Sequence, residues 1–163
     1  MITLKIAKLI KKARFTTVRI AWDWGLEQRG VVKEALKNLH KAGYWYKNIS
    51  IFMIYNWDYP FLILEEKREI CRKWNVQITD CRFRPLDQLY DEYNPRKIQT
   101  NLDYHIHYNW TDKQVKIFRH KVREQNICVR FGFQNLQHYY EWIRNKKKVK
   151  PLVNNGLFNW LKK

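Results

Sequence analysis

Residues 17–23 (TVRIAWD), 49–56 (ISIFMIYN) and 76–82 (VQITDCR) decide the fold of this chain. Each is a short run rich in β-branched and aromatic residues, and each ends in a polar side chain. Their starts fall about 30 residues apart, the length of a repeating βα unit. The segments between them carry helical periodicity. Strands separated by helices return in the same direction, so the pattern predicts a parallel sheet. In such folds function collects where the strands end.

The intervening segments read as amphipathic helices. The opening residues place Ile2, Ile6, Leu9 and Ile10 on one side and Lys5, Lys8, Lys11 and Lys12 mostly on the other. A second helix over 28–42 sets Val32, Ala35, Leu36 and Leu39 on one face and stops at Gly43, a residue suited to a left-handed cap. In the third, Asp58 caps, Pro60 sits in the first turn, and Ile63, Ile70, Cys71 and Trp74 face inward. Periodicity is lost over 85–109, where tyrosines mix with acids. This reads as a loop or lid over the strand ends, or an ordered cover of them. A further helix is expected over 112–125, with Val115, Phe118 and Val122 inward, and residues 127–133 (ICVRFGF) suggest a last short strand. The expected division is a parallel half-barrel over 1–84, an irregular aromatic and acidic segment over 85–110, and a helical basic extension over 111–163, all in one domain.

At 163 residues the chain can bury a core, yet it is shorter than a complete eight-stranded barrel. Eight Trp, ten Tyr and eight Phe argue against global disorder. Lys and Arg outnumber Asp and Glu by 32 to 15, a formal net charge of +17, which suits a polyanionic or acidic partner. The three cysteines, Cys71, Cys81 and Cys128, are too dispersed for a disulfide framework or a close-spaced metal pair. Lys5 and Lys8 interrupt the apolar residues at the start, and no apolar run reaches spanning length, so a cytoplasmic protein without membrane contact is expected.

The strings VRIAWDWGLEQRGVVKEALKNLHKAGY (18–44) and ISIFMIYNWDYPFLILEEKREICRKWNVQITDCRFRPLDQLYDEYN (49–94) resemble the later half of radical S-adenosylmethionine barrels. The resemblance covers residues 8–93, and the remainder is similar to the tail of a short, phage- and metagenome-type subgroup. Its markers are an arginine-led strand ending in an acid (Arg19, Asp23), a strand ending in Asn56, and a final strand running into Arg84, Pro85 and Leu86. The resemblance implies an α/β parallel half-barrel, the last three strands of a six-stranded partial TIM-type barrel. It implies S-adenosylmethionine and a [4Fe-4S] cluster for the complete enzyme. The CxxxCxxC loop that would hold the cluster is absent from this sequence, as is a glycine-rich segment for the methionine amine, and Trp57, Asp58, Tyr59 and Pro60 replace the turn some relatives carry. No cofactor is therefore expected in this chain alone, and the implied partner is the missing N-terminal half-barrel, on the same or a separate polypeptide.

By position the resemblance assigns Asp23 to the ribose hydroxyls, the strand with Phe52, Ile54 and Asn56 to the adenine, and Arg82 or Arg84 to the carboxylate or substrate. The chemistry is apt: vicinal hydroxyls want an acceptor, and a guanidinium matches a carboxylate fork. Plainer roles stand beside these. An acid at a strand end also caps helices, and Arg82 and Arg84, on one face by alternation, would equally pair with Asp87 or Asp91.

Other constellations carry less. His105 and His107 form an HxH pair that, with Cys81 and Cys128, has the ligand types of a zinc site, or of a Cys–His nucleophilic pair, without the spacing to compel either. Arg144, Lys146, Lys147, Lys148 and Lys150, flanked by Trp142 and Trp160, suit a rival function, an accessory protein that binds RNA or single-stranded DNA by charge and stacking.

Overall fold

The computed structural model describes residues 2–145. Its three strands, β1 (Val18–Ala21), β2 (Ile49–Tyr55) and β3 (Gln77–Arg82), form a parallel sheet in the order β1-β2-β3. Helices α1 (Leu4–Lys12), α2 (Arg29–Lys41) and α3 (Phe61–Lys73) precede or follow the strands, and α4 (Asp112–Phe131) and α5 (Leu136–Arg144) complete the described chain. The architecture is α/β with an open three-stranded sheet. Among the described residues no helix is long and apolar enough to cross a membrane.

Alternation along the strands divides the sheet into two unequal faces. Ile49, Ile51, Met53 and Tyr55 of β2 are buried with Ile20 and Ile78, and this face packs on Leu36, Leu39, Leu64, Cys71, Val115, Phe118 and Val122 of the helices. The opposite face carries Arg19, Ala21, Ser50, Phe52, Ile54, Thr79 and Cys81, in register across the strands. Arg19, Ala21 and Cys81 are exposed and Phe52 and Ile54 half-buried, so no described helix covers this side. One core therefore supports one face, and the other is bare.

The two sheet edges differ as well. Trp22 N–H donates to Phe52 O at 2.9 Å, which fixes the parity of β1: the backbone groups of Arg19 and Ala21 point away from β2. No described residue bonds them. At the other edge the Asn126 amide, on α4, accepts from Ile78 N–H at 2.8 Å and donates to Ile78 O at 2.7 Å. It stands in for a neighbouring strand at Ile78, where α4 packs along that edge.

Several expectations need correction. Residues 127–133 are no strand: α4 continues to Phe131 and ends at Gly132, at φ 73°. Val122, Gln125 and Val129 extend the buried spacing of Val115 and Phe118, so helical burial prevails over the β-branched composition. Asp58 does not cap α3, whose N-cap is Pro60. The buried face of α3 is Leu64, Lys67, Arg68, Ile70 and Cys71, with Ile63 only half-buried. In α1 it is Ala7 that is sealed in, while Ile6 and Leu9 remain 43% and 56% exposed. The second helix begins at Arg29, after a 3-10 turn over Leu26–Gln28.

Candidate functional site

The C-terminal ends of the strands bring Asp23, Asn56, Arg82 and Arg84 to one rim, with the residues of 85–110 laid against it. That segment has no helix or strand, yet it is ordered by polar contacts. Tyr104 is fully buried and its hydroxyl donates to Asp112 Oδ1 at 2.8 Å. Gln99 binds Glu92 O and Asn94 N–H, and Trp110 Nε1 donates to Trp57 O and Tyr59 O. It is a cover, held from below.

Asn56 is the main fastening. It sits at φ 59°, a left-handed conformation asparagine tolerates better than most residues. Its buried amide donates to Phe83 O at 3.3 Å and His105 O at 2.8 Å and accepts from His107 N–H at 2.9 Å. One side chain thus ties the end of β2 to the end of β3 and to the cover. Both amide protons are used, and none is left to address a ligand.

Arg82 is similarly committed. Alternation turns it to the covered side of the sheet with Tyr55, its partner in register. There Nη2 donates to both carboxylate oxygens of Asp91, at 2.6 and 2.5 Å, and the guanidinium lies 4.8 and 4.9 Å from the ring centres of Tyr93 and Tyr104. Arg84 adds a 3.2 Å contact to Asp91 and is largely in solvent. Burial works against the charge on Asp91, but the two guanidiniums hold its carboxyl below the usual carboxylate range.

Asp23 keeps chemistry in reserve. Its Oδ1 is buried and has no hydrogen-bond partner. Beneath it lies a feature that composition did not suggest: Lys67, from the middle of α3, is fully buried. Its ammonium donates to Trp22 O at 2.5 Å and Trp24 O at 2.8 Å, and lies 5.2 Å from the Trp22 ring centre. Burial pulls its pKa down to about 8, against the opposing pull of Asp23, Cys71 and Glu27. Lys67 anchors the turn after β1 that carries Asp23. The signal was the Leu64, Lys67, Cys71 spacing, which places the lysine on the helix's inward stripe.

Phe52 and Ile54 lie side by side on the bare face of β2, with Ala21 opposite Phe52 on β1 and Cys81 opposite Ile54 on β3. His105 and His107 are neighbours, with ring centres 6.3 Å apart, but His107 Nε2 faces Asp58 at 3.2 Å and burial lowers the His105 pKa. Among the described residues no three or more His, Cys, Asp or Glu groups are gathered to hold a metal ion. Cys71 is buried, Cys81 exposed and Cys128 partly buried. Arg144 is exposed at the end of α5, while Lys146, Lys147, Lys148, Lys150 and Trp160 lie outside the described residues.

No known protein family, curated protein or solved structure matches the chain. The functional reading therefore rests on the geometry of the rim, the sheet face and the sheet edges.

Proposed function

We propose that the chain is the nucleoside and substrate side of a radical S-adenosylmethionine enzyme, completed by a second half-barrel on the same or a separate polypeptide. The observation that carries this reading is the asymmetry of the sheet. Among the described residues one face is packed with helices and the other is uncovered, and one edge is plugged by Asn126 at Ile78 while the other presents the backbone of Arg19 and Ala21 without a partner. A parallel strand continuing the sheet beyond β1 would satisfy those groups and turn the bare face into a barrel interior. The half-exposed Ile6 and Leu9 of α1, and Phe15 just before β1, would then gain cover.

The residues fit the nucleoside in part. Asp23 has a free carboxylate oxygen for ribose hydroxyls, Phe52 and Ile54 offer apolar surface to a planar base, and Arg84 remains available to a carboxylate. Asn56 is spent on structure, and Arg82 is held by Asp91 through Nη2 while its buried Nη1 has no partner. The described residues do not fit an iron–sulfur cluster, which the other half would hold. Once bound there, cluster and cofactor would supply reductive cleavage and hydrogen abstraction.

The test is expression of a tagged chain from its own genomic context, with anaerobic purification. Expected are a joined or co-purifying polypeptide bearing CxxxCxxC, and 5'-deoxyadenosine formation lost in Asp23→Ala. A lone monomer that retains no S-adenosylmethionine overturns the proposal.

A second reading, a basic accessory protein binding RNA or single-stranded DNA, draws on the net charge of +17 and on the exposed Lys5, Lys8, Lys11 and Lys12 of α1. It predicts affinity that falls steeply with salt.

A further inference from the structure

A cavity of about 560 Å³ lies between α3, α4 and the start of α5, lined at its base by Asn75, just before β3. It stands apart from Asp23, Asn56 and Arg84, none of which lines it. Three independent features of its wall favour the same kind of ligand.

The first is charge. Arg68, Arg72, Lys73 and Lys121 line the cavity against two carboxylates, Glu69 and Glu124. Glu69 is engaged by Arg68 and Arg72, Glu65 by Arg68 and Lys121, and Glu124 lies 3.1 Å from His120, so the cation left unanswered is Lys73. It has no carboxylate within ion-pairing distance among the described residues. The second is a pair of unpaired polar groups in the wall. Arg68, itself buried, donates to Gln125 Oε1 at 3.1 Å and thereby fixes the orientation of that amide. Gln125 is only 5% exposed, and its Nε2 is left without a partner. Asn75 Nδ2 is unpaired too. Both orphans are donors, and a buried donor without a partner favours any acceptor that reaches it. The third is the backbone of α5: Gln134, Asn135 and Leu136 line the cavity, so the helix begins there. A helix start presents free N–H groups and the positive end of its dipole. Val129, Phe133 and Leu136 supply an apolar side.

We infer that this cavity binds a phosphate monoester carried on a small apolar or aromatic body. An unpaired lysine, amide donors and a helix start together want an acceptor-only oxyanion. The volume and the apolar wall suit a molecule larger than the oxyanion itself.

Phenyl phosphate, benzoate, inorganic phosphate and benzyl alcohol are titrated into the full chain by calorimetry, and alkylation of Cys128, which also lines the cavity, is followed by mass spectrometry in a Cys81→Ser background. Phenyl phosphate is expected to bind at one site, at least tenfold more tightly than the other three, and to slow Cys128 alkylation. Lys73→Ala, at an exposed position, and Gln125→Leu are each expected to weaken it about tenfold. Lys41→Ala, the same charge change at the exposed end of α2, is expected to leave it within twofold. Equal losses in Lys73→Ala and Lys41→Ala would reduce the effect to net charge and overturn the site. Tighter binding of benzoate would overturn the phosphate assignment, and unprotected Cys128 would place the ligand elsewhere.

Discussion

Replacing Lys67 with Met should remove a pH dependence of stability that the wild-type chain shows between pH 7 and 9. The folded pKa is about 8 against an ordinary value of 10.5, so over this interval the unfolded chain holds the proton more firmly than the folded one. Protons then favour unfolding, and stability rises with pH. Carried from pH 7 to 9, the difference between the two titrations is a gain on the order of 1 kcal/mol. Cys71 works the other way. Burial raises its thiol, and that of Cys128, above the ordinary 9.0, so the unfolded chain ionises these first and each takes back a fraction of a kcal/mol, well under ~1, by pH 9. The net expectation is a wild type more stable at pH 9 than at pH 7 by less than about 1 kcal/mol, and a Lys67→Met variant that becomes less stable over the same interval. Urea denaturation at the two pH values measures both. Remaining below pH 9.5 avoids Tyr55 and Tyr104, whose raised pKa values add a further loss at higher pH. Parallel behaviour of wild type and variant would refute the buried ammonium and its two carbonyl partners.

Asn56→Ala leaves two carbonyls and one N–H without partners and should cost about 3 kcal/mol; limited proteolysis should then cut within residues 85–110, and an unchanged cleavage pattern would remove Asn56 as the fastening of that cover. Asn126→Ala frees the outer edge of β3 and should increase self-association in sedimentation relative to wild type, with no increase arguing that α4 shields the edge by bulk alone. Replacing Lys146, Lys147 and Lys148 together with Ala should flatten the salt dependence of any single-strand binding by roughly 0.7 for each phosphate no longer neutralised; an unchanged slope would move that binding off the tail.

The parallel sheet was legible because period-2 apolar strands and period-3.6 helices bury on one side, and that pattern survives in Ile49, Ile51, Met53 and Tyr55 as in Val32, Ala35, Leu36 and Leu39. The length of α4 was not, since residues 127–133 are β-prone locally and only the tertiary burial of Val122 and Val129 extends the helix to Gly132. The inward rotation of α1 was hidden for a related reason. Ala7, the residue that fits against α2, is too small to stand out beside Ile6 and Leu9. At the rim, the sequence placed Asp23, Asn56, Arg82 and Arg84 at strand ends but carried no record of which had partners. Asn56 and Arg82 are bound by residues far along the chain, His105, His107 and Asp91. Lys67 was missed because a lysine in a charged helix reads as solvated, and only the depth of the turn after β1 turns it inward.

The closed edge of β3 and the open edge of β1 give the sheet a direction. An isolated three-stranded sheet would need blocking on both sides to remain soluble, and this one blocks only the later edge, with an asparagine from a helix that follows all three strands. On the uncovered face Phe52 and Ile54 occupy the central strand, between Ala21 of β1 and Thr79 and Cys81 of β3. A strand added beyond β1 would meet free backbone, whereas one added beyond β3 would have to displace Asn126. On the proposed reading the added strand comes from a second half-barrel rather than from a second copy docked face to face, which would cover Phe52 and Ile54 yet leave Arg19 and Ala21 unpaired.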